Sequence, residues 1–328
     1  MFHLLGADSR INLTEADNVH SWSPPLRSSA YKWFSHWLQN RTDNGIEAPV
    51  ELEDSATLNA TPSGQVLITY PNAETVQSLN AALAEKLRAK PAPTAIKQLA
   101  VLVRNRLDLP KEKLNPSVKR TGSYTQGDAR VEKIDIQTEP GITVPGLVFT
   151  PSKGPTRKHA ILYLNPAGMA ADAAPGDAID RLVQQGNVVL AIDPRGWGES
   201  APPHKMVSGY RTDYQMSMHA ILVGKSIPGM QTYDVLSAFQ YLAKRPDVNA
   251  KEISLHTQGI ASNLGIFAAV LEPRIKTVIC DKAPMSFLAI TQLKLNKTSP
   301  EAIIPGVLHD FDLPDLTRAL GSRFRIGE

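Results

Sequence analysis

The order of short apolar segments and helical patterns constrains the fold of this chain more than any other feature of its sequence. From residue 131 onward, apolar segments of strand length alternate with segments whose apolar residues have helical spacing. The predicted elements are a strand hairpin at 131–136 and 142–149, a strand at 160–164, a helix at 178–185, and strands at 188–192 and 275–280. Continuous apolar strands separated by helices are typical of a parallel sheet covered on both faces. The sequence therefore predicts an α/β fold with a mostly parallel sheet and helices on both faces.

A second constraint is the stretch KEISLHTQGIAS at residues 251–262. Ile253 and Leu255 predict a short strand, Gly259 marks a turn, and the apolar residues after the turn have helical spacing. A strand that turns sharply into a helix can hold one side chain exposed at the end of a sheet. We therefore expect any catalytic nucleophile of this chain at that turn.

The residues before 129 form two further segments. Residues 1–40 are predicted to hold a strand at 10–14, a loop with His20, and a helix from about Pro24 whose aromatic residues belong to a core. Residues 41–128 are predicted to be a linker and helical segment. It has helices near 76–87 and 96–103 and a loop at 111–128. Residues 129–328 are assigned to the α/β core, with an insertion at about 202–228.

Composition excludes several classes of protein. The chain has no apolar run of the ~18 residues that a membrane-spanning helix requires, and its net charge of +3 comes without a dense Lys/Arg run. We therefore expect neither membrane insertion nor nucleic-acid binding. One cysteine, Cys280, excludes an internal disulfide. The histidines lack metal-ligand spacing and no phosphate-binding loop is present, so no metal or cofactor is expected. No signal peptide is visible, which makes the cytoplasm the default location.

Three groups of motifs surround the predicted strands. Residues 161–168 (ILYLNPAG) place a loop after an apolar strand, residues 192–200 (IDPRGWGES) follow the next strand, and residues 245–248 (RPDV) and 271–275 (LEPRI) flank the turn at Gly259. Together they resemble the α/β-hydrolase superfamily, in particular its acetyl xylan esterase and dienelactone hydrolase-like branch. The resemblance covers about residues 130–328 and implies an α/β-hydrolase fold. It also implies that the backbone N–H groups of Ala167, Gly168 and Met169 lie near the oxyanion, the negatively charged oxygen that forms during ester hydrolysis.

The resemblance leaves the nucleophile open. In the family, the serine of G-x-S-x-G follows the arginine of R-P-D-V by fourteen positions, which here leads from Arg245 to Gly259, between Gln258 and Ile260. In that register the nucleophile is missing. A rival register compares Leu255-His256-Thr257-Gln258-Gly259 with the common G-H-S-Q-G and makes Thr257 the nucleophile. Ser262 is a third candidate, although a helix-start serine is its simpler interpretation.

A hydrolase of this kind also needs a base and an acid that orients it. Residues 10–22, followed by an amphipathic aromatic helix, resemble the last strand, catalytic-histidine loop and final helix of the same superfamily, which makes His20 the candidate base. Glu328, after the strand that begins at Phe324, and Asp281 are the acid candidates. Asp193 is expected to support the loop of Arg195, and Asp172 to cap a helix.

The fold's last strand and helix would then precede the rest of the chain. This order indicates either a circular permutation or a fragment of a tandem hydrolase. Both interpretations predict that residues 1–40 complete the sheet edge, within one chain or by exchange in a homodimer.

Two functions follow from these patterns. One is an esterase-like hydrolase of small carboxylic or acetyl esters, with a small ester or an acetylated saccharide as its partner. The other is a catalytically inactive pseudo-hydrolase domain with a binding or structural role, which the glycine at position 259 favours. The fold alone does not decide between them.

Overall fold

The computed structural model describes residues 1–110, 114–202, 211–294 and 297–327. They form two compact units, Met1–Ala73 and Glu74–Glu328. The helices near residues 76 and 96 therefore belong to the unit that contains the sheet. Glu328 and part of the predicted insertion, residues 203–210, lie outside the described residues.

Four consecutive strands begin at residue 117, and from residue 158 onward strands alternate with one or two helices. The helices are α1 (Pro24–Gln39), α2 (Val66–Thr69), α3 (Val76–Arg88), α4 (Ile96–Arg106), α5 (Ala178–Gln184), α6 (Thr212–Leu222), α7 (Ile227–Lys244), α8 (Ala261–Leu271), α9 (Phe287–Gln292) and α10 (Leu313–Leu320). The strands are β1 (Ser117–Gln126), β2 (Ala129–Glu139), β3 (Ile142–Pro151), β4 (Lys158–Leu164), β5 (Val188–Ile192), β6 (Val248–Thr257), β7 (Ile275–Cys280) and β8 (Phe324–Ile326).

The strands form a single sheet in the order β1-β2-β3-β5-β4-β6-β7-β8. The strands β1, β2, β3 and β5 pair antiparallel in succession, whereas β5, β4, β6, β7 and β8 pair in parallel. The predicted α/β class is therefore present, but the sheet is mixed. Because the carboxyl ends of parallel strands meet at one edge, the segments after β4, β5, β6 and β7 lie at the same end of the sheet.

Two apolar layers cover the faces of the sheet. On one face, Leu162 and Leu255 pack in a large core that includes residues of α4, α7, α8 and α10. On the other face, Ile161 and Tyr163 pack with residues of α5. Adjacent residues of β4 thus point to opposite faces, as strand geometry requires.

Three predictions for the first 128 residues differ from the structure. Residues 117–126 were expected in a loop but form β1, whose side chains are largely exposed on both faces, so alternation of apolar residues is absent. The predicted strand at 10–14 is not present, because residues 11–16 have no regular secondary structure. In α1 the side chains of Phe34 and Trp37 are exposed rather than part of a core.

Within the described ranges, no helix is both long and apolar enough to cross a membrane.

Candidate functional site

The turn between β6 and α8 lies at the centre of the carboxyl edge of the sheet. β6 ends at Thr257 and α8 begins at Ala261. The backbone N–H of Gln258 donates to the carbonyl oxygen of Leu164 (2.9 Å), and the N–H of Asp281 donates to that of Thr257 (3.0 Å). The end of β6 is thereby fixed between the ends of β4 and β7. We call residues 258–260 the tip of the turn, and Thr257 with Ser262 its floor.

Gly259 at the tip adopts a left-handed backbone conformation, with φ of 54°. This conformation favours glycine over residues with a side chain. A Cβ atom built on Gly259 would meet no atom within 4 Å from any described residue other than its chain neighbours, so the space beside it is open. The tip therefore combines a sharp turn with room for an atom that the glycine does not provide.

The two hydroxyl groups of the floor are buried. Thr257 is 1% exposed and Ser262 is fully buried. The Thr257 hydroxyl lies 3.3 Å from that of Ser262 and 3.4 Å from the sulfur of Cys280. The structure brings these two candidate nucleophiles together inside the core, and in the described part of the chain neither hydroxyl group has a histidine as its hydrogen-bond partner.

Close packing of α8 keeps the floor closed. A Cβ atom on Gly265 of α8 would lie 2.7 Å from Cγ2 of Thr257 and 2.9 Å from Cγ2 of Val278. Only glycine allows the helix to approach β6 and β7 so closely. Because the helix sits directly over the Thr257 side chain, this hydroxyl has no open path to a substrate.

The loop after β4 holds the three predicted oxyanion residues. The N–H of Ala167 donates to Oδ1 of Asn165 (2.9 Å), that of Gly168 to the carbonyl oxygen of Asn165 (3.0 Å), and that of Met169 to Oδ1 of Asp193 (2.5 Å). All three N–H groups thus already have acceptors within the protein. In this conformation the loop forms one wall of the site, and none of these three N–H groups is free to bind an oxyanion.

A free donor lies instead at the start of α8. Among the described residues, the backbone N–H of Ile260 has no hydrogen-bond partner. The first N–H groups of a helix lack intrahelical acceptors, and the helix dipole adds partial positive charge at that end. The N–H of the residue after the turn can therefore bind an oxygen that carries negative charge. Sequence reasoning had named Ile260 only as part of the turn.

A hydrogen-bonded network connects the tip to the wall. The carboxylate of Asp172 accepts hydrogen bonds from the Tyr163 hydroxyl and from Nδ2 of Asn165, both at 2.6 Å. Nε2 of Gln258 donates to the Tyr163 oxygen at 3.1 Å. Burial, together with the Asp172 carboxylate, raises the pKa of Tyr163, so its hydroxyl stays protonated. Asp172 therefore links two segments of the site, whereas its side chain was expected to cap a helix.

The candidate acids occupy different environments. Asp281 follows β7, is exposed, and its Oδ1 accepts the N–H of Gly259 at 2.9 Å. Asp193 is 1% exposed, and burial raises its pKa although the N–H groups of Glu199 and Met169 donate to it. Its contacts support the loop of Arg195, as expected. Glu328 lies outside the described residues.

His20 and His256 lie in different environments. His20 lies in an exposed bend of the unit Met1–Ala73. His256, on β6, is in register with Tyr163 on one side and Ile279 on the other, and burial lowers its pKa to about 4. The imidazole of His256 is therefore neutral at pH 7.

No group of three or more His, Cys, Asp or Glu residues that could hold a metal ion is found in the described part of the chain. A cavity of about 780 Å³ lies at the opposite end of the sheet, near the amino ends of β6 and β7. Residues of the turn do not line it, so this cavity is separate from the site.

Comparisons with known proteins agree with this fold. No protein-family model matches the chain. The chain is 26% identical to “Putative hydrolase YtaP” of Bacillus subtilis (strain 168) over 146 residues. The matched region is 44% of this chain and 46% of that protein. It is 27% identical over 149 residues to “Polyketide transferase claH” of Penicillium crustosum, 45% of this chain and 42% of that protein. The chain thus spans less than half of the length of these curated relatives.

Solved structures extend the likeness to most of the chain. A “putative acetyl xylan esterase” of Bacteroides fragilis NCTC 9343 superimposes with a TM-score of 0.66 at 16% identity, over 78% of this chain and 76% of that one. “Methylesterase BT1017” superimposes with a TM-score of 0.54 at 17% identity, over 76% of this chain and 55% of that one. The chain therefore has the fold of these esterases.

Proposed function

We propose that this chain is an esterase-like hydrolase of small carboxylic or acetyl esters, with an α/β-hydrolase fold and a turn at Gly259 that has lost the nucleophile side chain. The observation that carries the proposal is the N–H of Ile260, which is free at the start of α8 beside a glycine with positive φ. In α/β-hydrolases the N–H of the residue after the nucleophile binds the oxyanion. The esterase names among the structural neighbours support the same chemistry.

The tip would stabilise the charge that develops on the ester carbonyl oxygen. As the carbonyl carbon becomes tetrahedral, its oxygen gains negative charge and accepts a stronger hydrogen bond from the Ile260 N–H. The partial positive charge at the start of α8 acts in the same direction. Ala167, Gly168 and Met169 remain candidate oxyanion residues, but their N–H groups would first have to exchange their present acceptors.

The network around Asp172 would keep this arrangement fixed. The Asp172 carboxylate binds Tyr163 and Asn165, Tyr163 binds Gln258, and Asn165 binds the backbone of Ala167. A rigid wall and tip hold the donor in position before the substrate arrives, which is how preorganised sites lower a barrier. In this proposal Asp172 is a positioning residue and does not touch the substrate.

The N-terminal residues carry the remaining part of the proposal. His20 would act as the base, and residues 1–40 would complete the sheet edge, within one chain or by exchange between two copies, as a permuted or tandem hydrolase requires. β8 is the edge strand of the sheet, and residues 11–16, which have no regular secondary structure, would have to become extended to pair with it. Light scattering of the purified protein distinguishes a monomer from an exchanged dimer.

The test of this function is the hydrolysis of p-nitrophenyl acetate and of acetylated xylo-oligosaccharide by the purified chain. We expect release of acetate above the uncatalysed rate. A His20→Ala variant measures the contribution of that histidine, and Lys32→Ala, in the same unit, is its matched control. A folded protein that releases no acetate from either ester contradicts the proposal.

The second candidate function is a pseudo-hydrolase domain that binds without catalysis. Gly259 at the expected serine position and the burial of Thr257 and Ser262 favour it. This function predicts that the folded protein neither hydrolyses esters nor reacts with a fluorophosphonate probe. Hydrolysis of an ester contradicts it, and so does attachment of the probe to a hydroxyl group.

A further inference from the structure

The carboxylate of Asp281 lies beside the tip of the turn. Its Oδ1 atom accepts hydrogen bonds from the N–H of Gly259 (2.9 Å) and from the N–H of Lys282 (2.9 Å). These two bonds fix the carboxylate next to the backbone of Gly259. The second oxygen, Oδ2, has no partner among the described residues, and Asp281 is exposed.

The space at Gly259 completes this arrangement. Apart from the chain neighbours Gln258 and Ile260, no described residue has an atom within 4 Å of the position that a Cβ would occupy, so the site that a serine side chain would fill is open. The free N–H of Ile260 follows directly in the chain, and the carboxylate of Asp281, bound to the Gly259 N–H, lies more than 4 Å from the Cβ position, which leaves room for a water molecule between them. A water molecule in this space can therefore lie near both a hydrogen-bond donor for the oxyanion and a base.

We propose that water itself, activated by the Asp281 carboxylate, attacks the ester at this site, so that hydrolysis proceeds without an acyl-enzyme intermediate. The inference rests on the proposed esterase function and specifies its mechanism, with Asp281 in place of His20 as the base. Direct attack needs no serine, which agrees with glycine at position 259. It also needs neither Thr257 nor Ser262, whose hydroxyl groups are buried in the core.

The reaction balances with these groups alone. Oδ2 of Asp281 takes a proton from water while the water oxygen forms a bond to the carbonyl carbon, and the carbonyl oxygen becomes an oxyanion bound by the Ile260 N–H. The oxyanion then reforms the C=O bond and the bond to the alcohol oxygen breaks. That oxygen takes the proton from the Asp281 carboxyl group. The products are one carboxylic acid and one alcohol, and Asp281 returns to the carboxylate.

The experiment combines kinetics with a search for a covalent intermediate. Acetate release from p-nitrophenyl acetate is measured for the wild-type protein, for Asp281→Asn and for Asp128→Asn. Asn keeps an acceptor for the Gly259 N–H, so Asp281→Asn retains the turn, and Asp128 is a surface carboxylate with an 82% exposed side chain. Mass spectrometry of acid-quenched wild-type protein tests whether an acetyl group is attached during turnover.

We expect Asp281→Asn to reduce kcat/KM by about 100-fold or more, the size typical of a lost general base. Asp128→Asn should leave it unchanged, and no acetylated protein should accumulate. An Asp281→Asn variant with wild-type activity, or an acetylated residue in quenched wild-type protein, overturns this inference and leaves the esterase function standing. A folded wild-type protein without activity overturns both.

A second variant tests the water position without changing the base. Gly259→Ala places a methyl group in the open space, where the attacking water would lie, and we expect at least a tenfold loss of kcat/KM. Gly186→Ala, which also has a positive φ and open space around its Cβ, is the matched control and should retain activity. Wild-type activity in Gly259→Ala contradicts the inference.

Discussion

The tip and the floor of the turn between β6 and α8 lie within a few residues of each other but differ in access to solvent. The tip has an open space beside Gly259, a free N–H on Ile260 and a neighbouring carboxylate, yet it lacks a hydroxyl group. The floor has two hydroxyl groups, on Thr257 and Ser262, and both are buried. The comparison shows that the hydroxyl groups lie in a closed layer, whereas the open space, the free N–H and the carboxylate lie in an exposed one.

The largest expected effect comes from adding the missing hydroxyl group at the tip. Gly259→Ser should react with a fluorophosphonate probe, whereas the wild-type protein should not, because the new side chain enters open space. A left-handed backbone with a side chain costs about 1 kcal/mol, which the fold can bear. Mass spectrometry of labelled peptides checks the position.

The matched control for this variant is Gly186→Ser, which adds a serine at another open, positive-φ glycine away from the turn. It should stay unlabelled. If folded Gly259→Ser also stays unlabelled, the tip does not activate a hydroxyl group and the contrast with the floor loses its functional meaning.

The next effect concerns His256, which lies on the face of β6 opposite to Thr257. Burial lowers the pKa of His256 to about 4. Below pH 6.5 the unfolded chain binds a proton at His256 that the folded chain does not bind. The contribution of the neutral imidazole to the free energy of unfolding is therefore complete above pH 6.5 and is lost as the pH falls toward 4. His256→Asn should remove this dependence, which amounts to about 3 kcal/mol at most. Urea unfolding at pH 7 and pH 4.5 measures it. Equal pH dependence in the two proteins contradicts the assignment.

A smaller effect tests the closure of the floor. Gly265→Ala forces a methyl group to within 2.7 Å of Cγ2 of Thr257, and such overpacking should lower the free energy of unfolding by about 2 kcal/mol. Thr257→Ser removes that Cγ2 atom and should restore part of the loss in the double variant. Urea denaturation of the four proteins measures the coupling. Additive losses would mean that α8 does not pack on Thr257.

The smallest effect is expected when the hydroxyl groups of the floor are removed. Thr257→Val and Ser262→Ala should each lower stability by about 1 kcal/mol, because each removes a buried hydrogen-bonding group. Their kcat/KM for p-nitrophenyl acetate should stay within about twofold of wild type. A loss of activity without a loss of stability would move one of these hydroxyl groups into the catalytic machinery.

Much of the sheet is predictable from the sequence. The runs at 160–164 and 188–192 are continuously apolar because β4 and β5 are buried on both faces, and they appear in the structure as expected. β1 is missed because its polar residues are exposed on both faces and only pairing with β2 makes it a strand. The alternation of Ile11 and Leu13 predicts a strand that is not present. Alternation alone does not provide the partner that a strand needs.

The candidate site is less predictable, for a related reason. The sequence shows that Thr257 and Ser262 carry hydroxyl groups, but only the packing of Gly265 against β6 decides that they are buried. It shows the loop at 167–169 but not that Asn165 and Asp193 already accept its N–H groups. Asp281 is adjacent to Gly259 only because β6 and β7 are neighbours in the sheet.

The most direct test of the central claim is the kcat for p-nitrophenyl acetate of an Ile260→Pro variant. Ile260 has φ of −64°, which proline adopts without strain, and its N–H has no partner in the described structure, so the substitution removes the proposed oxyanion donor with little change in the fold. We expect kcat to fall by about 10² to 10³ at unchanged thermal stability. A folded variant with wild-type kcat would contradict it.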